Sequence, residues 1–222
     1  KYRHWRHLPL RTNNMTGIVS QNVGRTSGLI KTVSAGGTWT LIKTLTSDGS
    51  DATMSFVNGS DDVTLDSTYP IYRFSFINMH PETDEVFFRF NGSADTGSNY
   101  NVTKTTTFFN AIHPESGSES SLGYAAGFDL AQSTAFQTIG AEIGNDNDQC
   151  LNGWLQLFNP SSTTFVKHFM GVEAHNQQND YLYNGYIGGY FNTTSAVDAV
   201  QFKMSSGEIQ GGKIKLYGLS DS

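Results

Sequence analysis

The chain has 222 residues, of which 15% are charged and 13% are aromatic. The aromatic content excludes an intrinsically disordered chain, and the scarcity of Ala, Glu, Lys and Leu excludes a coiled coil. No apolar run approaches the roughly 18 residues that a membrane-spanning helix requires. A single cysteine, Cys150, excludes an intrachain disulfide.

The net charge of −6 is distributed unevenly along the chain. Residues 1–47 contain seven Lys and Arg residues and no Asp or Glu, whereas the rest contains seven basic and all 20 acidic residues. Such an asymmetry predicts a basic arm that binds an acidic partner. That partner is either nucleic acid or the acidic body of a neighbouring copy.

Residues 1–35 are mostly small, polar or basic, and they are predicted to form an N-terminal arm or linker with one short strand at 28–33. The opening KYRHWRH interleaves basic and aromatic residues, as in proteins that bind single-stranded nucleic acid. It is short and has no recognised motif. Docking on an acidic protein surface is therefore favoured over nucleic acid. The candidate partner-binding residues of the arm are Arg3, Trp5, Arg6 and Arg11.

From residue 36 onward, short runs of β-branched and aromatic residues alternate with Gly, Asn, Asp and Ser. This pattern predicts a body of β-strands over residues 36–222. Tyr72, Phe74 and Phe76 are spaced two residues apart and are predicted to share one buried face of a strand. The predicted strands are 38–45, 53–57, 71–79, 85–90, 102–112, 136–143, 154–158, 164–171, 181–191, 199–204 and 213–219.

The segments between these runs carry turn chemistry. Residues 114–123 are predicted to form an exposed loop, and 125–136 is the best place for a short helix. No crossover helix joins the strands, so antiparallel pairing is expected. The predicted fold class is an all-β, antiparallel, jelly-roll-like β-sandwich with an extended N-terminal arm. Hairpin-type turns are predicted at Asp48-Gly49, Asn58-Gly59, Asn91-Gly92 and Asn184-Gly185.

Motifs that indicate catalysis or a cofactor are absent from the sequence. There is no H-E-x-x-H metal motif, no G-x-S-x-G nucleophile elbow and no glycine motif for phosphate or dinucleotide binding. A glycoside hydrolase needs two carboxylates across a cleft, and acids spread through predicted loops are more typical of a solvated surface. We therefore expect no enzyme activity and no cofactor.

One predicted loop is rich in the oxygen ligands that Ca²⁺ prefers. Residues 145–149 have the sequence NDNDQ, in which Asp146 and Asp148 are the candidate ligands. The glycine and the terminal glutamate of an EF-hand loop do not occur at the required positions after these residues. An ordinary acidic turn is therefore favoured over a metal site.

Exposed aromatic side chains on a sandwich can stack on sugar rings, so a carbohydrate-binding module for host recognition is the alternative function. The candidate glycan-facing residues are Tyr181, Tyr183 and Tyr186. Most aromatic residues of a sandwich belong to its core, and core packing is the favoured interpretation for each of them.

Several phrases of the sequence resemble structural proteins of marine tailed bacteriophages, in particular cyanophage-like ones. The longest are SNYNVTKTTTFF at residues 98–109 and LFNPSSTT at 157–164. The resemblance extends over about residues 36–219 and leaves the arm outside it. The other phrases are at 76–81, 129–134, 189–191 and 214–218.

The resemblance implies a virion protein and no catalytic residues. The expected function is a non-enzymatic structural component of a tailed-phage virion, either a capsid-surface decoration or a tail- or fibre-associated protein. Its expected partners are other virion proteins and copies of itself, and a trimer is the favoured homo-oligomer. A host surface glycan is a further candidate partner, and no membrane partner is expected.

Overall fold

The computed structural model describes residues 37–221, and this part of the chain forms twelve β-strands and no helix. The prediction of an all-β fold is therefore confirmed. The strands are β1 (Trp39–Thr46), β2 (Met54–Val57), β3 (Ile71–Pro81), β4 (Val86–Ser93), β5 (Lys104–Pro114), β6 (Ser121–Tyr124), β7 (Gln137–Ile143), β8 (Leu151–Phe158), β9 (Lys167–Gln177), β10 (Tyr181–Phe191), β11 (Ala199–Met204) and β12 (Ile209–Leu219).

The strands form two antiparallel layers that pack face to face. The large sheet has the strand order β1-β12-β3-β8-β9-β10-β5-β6, and the small sheet has the order β7-β4-β11-β2. One residue pair, Ile143 of β7 with Gln177 of β9, joins the two sheets. Three connections, β5–β6, β8–β9 and β9–β10, are hairpins, and the other eight pass from one sheet to the other. This architecture confirms the predicted antiparallel, jelly-roll-like sandwich.

A cluster of phenylalanine side chains fills the space between the sheets. Phe202 of β11 lies at its centre and contacts rings from both sheets. Aromatic pairs in edge-on or offset geometry add about 0.5–1.5 kcal/mol each beyond the burial of their surface. Tyr72, Phe74 and Phe76 are at most 2% exposed, which confirms their predicted common buried face. The ring centroids within 5.2–6.3 Å of that of Phe202 belong to Phe56, Phe74, Phe76, Phe88 and Phe90.

The segment between β5 and β7 departs from its prediction. Residues 121–123 are predicted in the loop 114–123, but with Tyr124 they form the edge strand β6, because their backbone pairs with β5. The helix expected at 125–136 does not form, since this segment runs along β5. Ala125 N–H donates to Phe108 O, and Thr106 N–H donates to Leu130 O. Backbone pairing with an existing strand thus replaces the hydrogen bonds of a helix.

Two of the four dipeptides that were predicted as turns lie inside strands. Asn91-Gly92 belongs to β4 and Asn184-Gly185 to β10. A Cβ atom at Gly92 would lie 2.8 Å from the ring of Phe191, and a Cβ atom at Gly185 would clash with a carboxylate oxygen of Glu173. These glycines therefore make room for large neighbours. The other two dipeptides do occupy turns, where the glycine φ angles are 96° and 78°.

Two lysines are buried on either side of Phe191. Lys104 and Lys167 pair with Phe191 from the two neighbouring strands, and both are 0% exposed. Lys104 Nζ donates to Ala135 O at 2.6 Å, and Lys167 Nζ donates to Thr193 O at 3.1 Å. Burial lowers the pKa of Lys104 to about 7 and also lowers the pKa of Lys167. Each amine ties a loop carbonyl to the sandwich.

We expect Phe202→Ala to lower the free energy of unfolding by about 3–5 kcal/mol, because it leaves a cavity at the centre of the ring cluster. Urea unfolding followed by fluorescence measures the change. Phe165→Ala is the matched control, since the Phe165 side chain is 70% exposed and its removal should change stability by no more than about 0.5 kcal/mol. Equal effects of the two substitutions would contradict the central role of Phe202.

Candidate functional site

The outer face of the large sheet, which points away from the small sheet, is uncharged across four of its eight strands, β8, β9, β10 and β5. Their inward residues alternate with outward ones, and none of the outward residues is Asp, Glu, Lys or Arg. An uncharged sheet face of this breadth can meet another surface without desolvating ions. The outward residues are Asn152, Trp154, Gln156 and Phe158; His168, Met170, Val172, Ala174 and Asn176; Leu182, Asn184, Tyr186, Gly188 and Tyr190; and Thr105, Thr107, Phe109, Ala111 and His113.

An apolar row crosses this outer face at right angles to the strands. Trp154, Val172, Tyr186, Phe109 and Tyr124 are direct cross-strand neighbours on β8, β9, β10, β5 and β6. The rings of Phe109 and Tyr186 stack with their centroids 4.8 Å apart and their planes 3° from parallel. The row therefore presents flat aromatic surface to solvent.

An arginine closes one end of the apolar row. The Arg73 guanidinium lies 4.7 Å from the ring centroid of Trp39 and 4.8 Å from that of Trp154. Stacking of this kind holds both indoles against the sheet. The two tryptophans are therefore fixed features of the outer face.

Two shallow grooves lie over strands β9, β10, β5 and β6 of the outer face. The first, of about 470 Å³, lies over Gly188, which has no side chain to fill it, and Thr107, His168, Met170 and Tyr190 border it. The second, of about 430 Å³, lies where β10, β5 and β6 meet, and its lining includes Ala111, His113, Leu122, Leu182 and Asn184. Both grooves are open to solvent and mostly apolar.

One end of the sandwich is strongly acidic. The six connections β1–β2, β3–β4, β5–β6, β7–β8, β9–β10 and β11–β12 all lie at this end, and together they contain eleven Asp and Glu residues and no Lys or Arg. All eight basic residues of the described range lie within strands. Strand β1 begins at Trp39 at the opposite end. We call the six connections the acidic end.

The candidate calcium residues Asp146 and Asp148 lie in one connection of the acidic end, and both are exposed. The turn is closed by Gln149, whose N–H donates to Asp146 O and whose side-chain oxygen accepts from Asp146 N–H. Within residues 37–221, no three His, Cys, Asp or Glu side chains converge in a way that could hold a metal ion. The structure thus places these two aspartates in a hydrogen-bonded acidic turn.

The three candidate tyrosines do not share a surface. Tyr183 is buried at 4% exposure, so its assignment as glycan-facing is corrected. Alternation along β10 turns Tyr181 and Tyr183 toward the inner side and Tyr186 toward the outer face. Tyr190 borders the groove over Gly188 and was missed, although counting by twos from Tyr186 would have found it.

The candidate residues of the arm, Arg3, Trp5, Arg6 and Arg11, lie outside the described residues. The predicted strand at 28–33 also lies outside this range. Their roles therefore remain predictions.

A buried acid–base pair lies on the inner side of β9. Glu173 Oε2 is 2.7 Å from His175 Nδ1, and both side chains are 0% exposed. His175 Nε2 is 2.8 Å from Ala141 O, and the imidazole stacks on the ring of Tyr183. Among residues 37–221 this is the one acid–base pair within 4 Å. Neither groove of the outer face includes these residues.

The contacts of this pair indicate where its proton lies. Because Ala141 O can only accept a hydrogen bond, His175 Nε2 carries a hydrogen. Burial raises the pKa of the Glu173 carboxyl above its usual range, and Glu173 Oε1 has no hydrogen-bond partner. An unpartnered buried oxygen costs less in a carboxylic acid than in a carboxylate. The contacts therefore favour Glu173 as the donor of the hydrogen bond to His175 Nδ1.

No protein-family model, no curated protein and no solved structure matches this chain. In the described part of the chain, no helix is long and apolar enough to cross a membrane. The function is therefore inferred from the residues and geometry of the chain itself.

We expect Glu173→Gln to change the free energy of unfolding by less than about 1 kcal/mol, because a glutamine amide can donate to His175 Nδ1 as the neutral acid does. Glu173→Leu removes that donor and should destabilise the protein by about 2–4 kcal/mol. Urea unfolding at neutral pH measures both variants. A loss as large for Gln as for Leu would show that the native pair is ionised.

Proposed function

We propose that this chain is a non-enzymatic structural component of a tailed-phage virion, which assembles through its sandwich and its basic N-terminal arm. The sequence phrases at 98–109 and 157–164 support the virion assignment. The separation of charge carries the assembly mechanism, because an acid-free basic arm and an acidic end with no Lys or Arg belong to one chain. The protein would act at the capsid surface, in the tail or on a fibre.

The charge of the sandwich explains why the arm would be needed. Residues 37–221 contain eight basic and 20 acidic residues, so two sandwiches repel one another at long range. Residues 1–36 contain six basic residues and no acidic ones. An arm that crosses to a neighbouring copy offsets part of this repulsion, and its effect is screened by salt.

The outer face supplies a second means of contact. The outward residues of β8, β9, β10 and β5 are uncharged, so copies or other virion proteins could pack on this face without burying unpaired ions. Interface cores are typically depleted in charged residues and enriched in aromatic ones, as the row from Trp154 to Tyr124 is. A homo-oligomer, preferably a trimer, is the assembly that this proposal favours.

Deletion of residues 1–35 should reduce incorporation into virions by at least about tenfold, the effect of losing roughly 1.4 kcal/mol of attachment free energy. Incorporation is measured by quantitative mass spectrometry of purified particles, and imaging of the particles locates the protein. A matched variant keeps the full length and replaces the six Lys and Arg residues of 1–36 by Gln, and it should show the same loss. Undiminished incorporation of both variants would contradict the role of the arm.

The groove over Gly188 favours carbohydrate binding as a second candidate function. Tyr190 and His168 border it with their ring centroids 5.8 Å apart, and the hydroxyls of Thr105 and Thr107 line the opposite side. Aromatic rings beside neutral hydroxyls suit a neutral hexose. One face of the sugar ring would stack on an aromatic ring, and the sugar hydroxyls at its edge would form hydrogen bonds with the threonine hydroxyls. The ligand of this module would be a host surface glycan.

If the protein binds glycans, Tyr190→Ala should weaken binding at least about tenfold, because one stacked ring contributes on the order of 1.4 kcal/mol. A glycan array of host polysaccharides measures binding of the purified chain. Tyr181→Ala is the matched control, because Tyr181 lies on the inner side of the same strand, and it should leave binding unchanged. A blank array for the unsubstituted chain would remove this candidate.

A further inference from the structure

Strand β6 is the terminal strand of the large sheet, and one of its edges is free. Among the described residues, β6 pairs with β5 alone. The N–H of Ala125 donates to Phe108 O at 2.9 Å, so the N–H groups of Gly123 and Ser121 also point toward β5. The backbone groups of Leu122 and Tyr124 therefore point away from the sheet and are available to another strand.

Strand β6 is short, with four residues, but its edge lacks the other features that normally prevent strand addition. Exposed edges are usually protected by charged residues, proline or a bulge, and the sequence Ser121–Tyr124 contains no charge and no proline. The opposite edge of the same sheet differs, because β1 has a bulge between Leu41 and Lys43 and carries the Lys43 charge. Strand β6 is thus the receptive edge.

The surface beside the receptive edge is apolar. Leu122 is 74% exposed, Tyr124 58%, Leu182 54% and Phe109 43%. These four residues lie together on the outer face of β10, β5 and β6 and adjoin the groove of about 430 Å³. An added strand with apolar side chains would cover this patch.

The charges around β6 select a basic occupant. Glu119 lies just before β6 and Asp129 just after it, and residues 105–166 contain no Lys or Arg. Antiparallel pairing of β6 with β6 of a second copy would bring these acidic flanks side by side. An apolar segment that contains a basic residue is therefore favoured over a second β6.

We propose that residues 28–33 of a second copy of this chain add to β6 as an extra strand. This inference rests on the proposed assembly function and names where the arm docks. The segment GLIKTV is rich in strand-forming residues, lacks acids and carries Lys31, and Arg25 precedes it. Lys31 and Arg25 complement Glu119 and Asp129.

The added strand comes from another copy because its own chain cannot deliver it. Strand β1 begins at Trp39 on the opposite edge of the large sheet, seven strand spacings of about 4.8 Å, or roughly 34 Å, from β6. The six residues from 33 to 39 span at most about 20 Å when fully extended. The contact therefore joins two copies, and it is heterologous, since the two copies contribute different surfaces.

The test compares Leu122→Pro with Leu122→Thr in the full chain by sedimentation and light scattering. Proline removes the outward N–H of position 122, whereas threonine also removes the leucine side chain but keeps the N–H. We expect Leu122→Pro to weaken self-association by about tenfold or more, the effect of one lost backbone hydrogen bond, and Leu122→Thr by less than about threefold. Unchanged self-association of Leu122→Pro overturns the proposal. It is also overturned if the unsubstituted chain stays monomeric over a roughly 100-fold range of concentration that ends at its solubility limit.

A cross-link identifies the occupant of the edge. Two full-length variants, both with Cys150→Ser, carry Leu29→Cys and Leu122→Cys respectively, and they are mixed and treated with a short bismaleimide. We expect a covalent dimer in the mixture and little when Thr40→Cys, an exposed position of β1, replaces Leu122→Cys. Dimers of Leu122→Cys with itself, or no dimer in the mixture, overturn the proposal. Virion incorporation tests the proposed function separately, because a protein can enter particles without this contact.

Discussion

The packing of phenylalanine rings between the two sheets is the interaction on which the rest of the structure depends. Eight of the connections pass between the sheets, so most strands that are consecutive in sequence lie in different sheets. These strands can pair correctly only when the two sheets pack together on the phenylalanine rings. Both sheets contribute rings to the cluster around Phe202. With the inner faces reserved for apolar side chains, the acids other than Glu142 and Glu173 collect in the connections and near the chain end. The acidity of the connections is a consequence of the core.

The sequence predicts strands well where one face is apolar and poorly where a buried face is polar. The bounds of β10 and β11 were predicted at 181–191 and 199–204, as observed. Strand β9 was predicted to stop at residue 171, yet it continues to Gln177. Its extension carries Glu173 and His175, which look like loop residues in a hydrophobic pattern but bond to one another inside the sandwich. A hydrogen bond between two buried polar side chains leaves no signal in the spacing of apolar residues along the sequence.

The interaction surface was harder to predict than the fold for a related reason. An outer face is defined by which strands become neighbours, and Trp154, Tyr186 and Phe109 form a row only through long-range register. Strand β6 shows the same limit, because four small or apolar residues become a strand only when β5 lies beside them. The alternation of inward and outward side chains along β10 could be predicted from the sequence. That alternation is enough to place Tyr183 and Tyr186 on opposite faces of the strand.

The proposed contact joins two unlike surfaces, residues 28–33 of one copy and β6 of the next, and this gives the assembly a direction. A contact between unlike surfaces is repeated from copy to copy, and it ends either in a closed ring or in an open filament. Each added sandwich brings eight basic and 20 acidic residues in its described part, so repulsion grows with every copy, whereas each arm cancels only part of it. Electrostatic cost that rises with length opposes a filament, while ring closure adds one more edge contact without adding another charge. If the arm docks on β6 as proposed, the combination of a bare edge, a basic arm and an acidic sandwich would favour small closed rings.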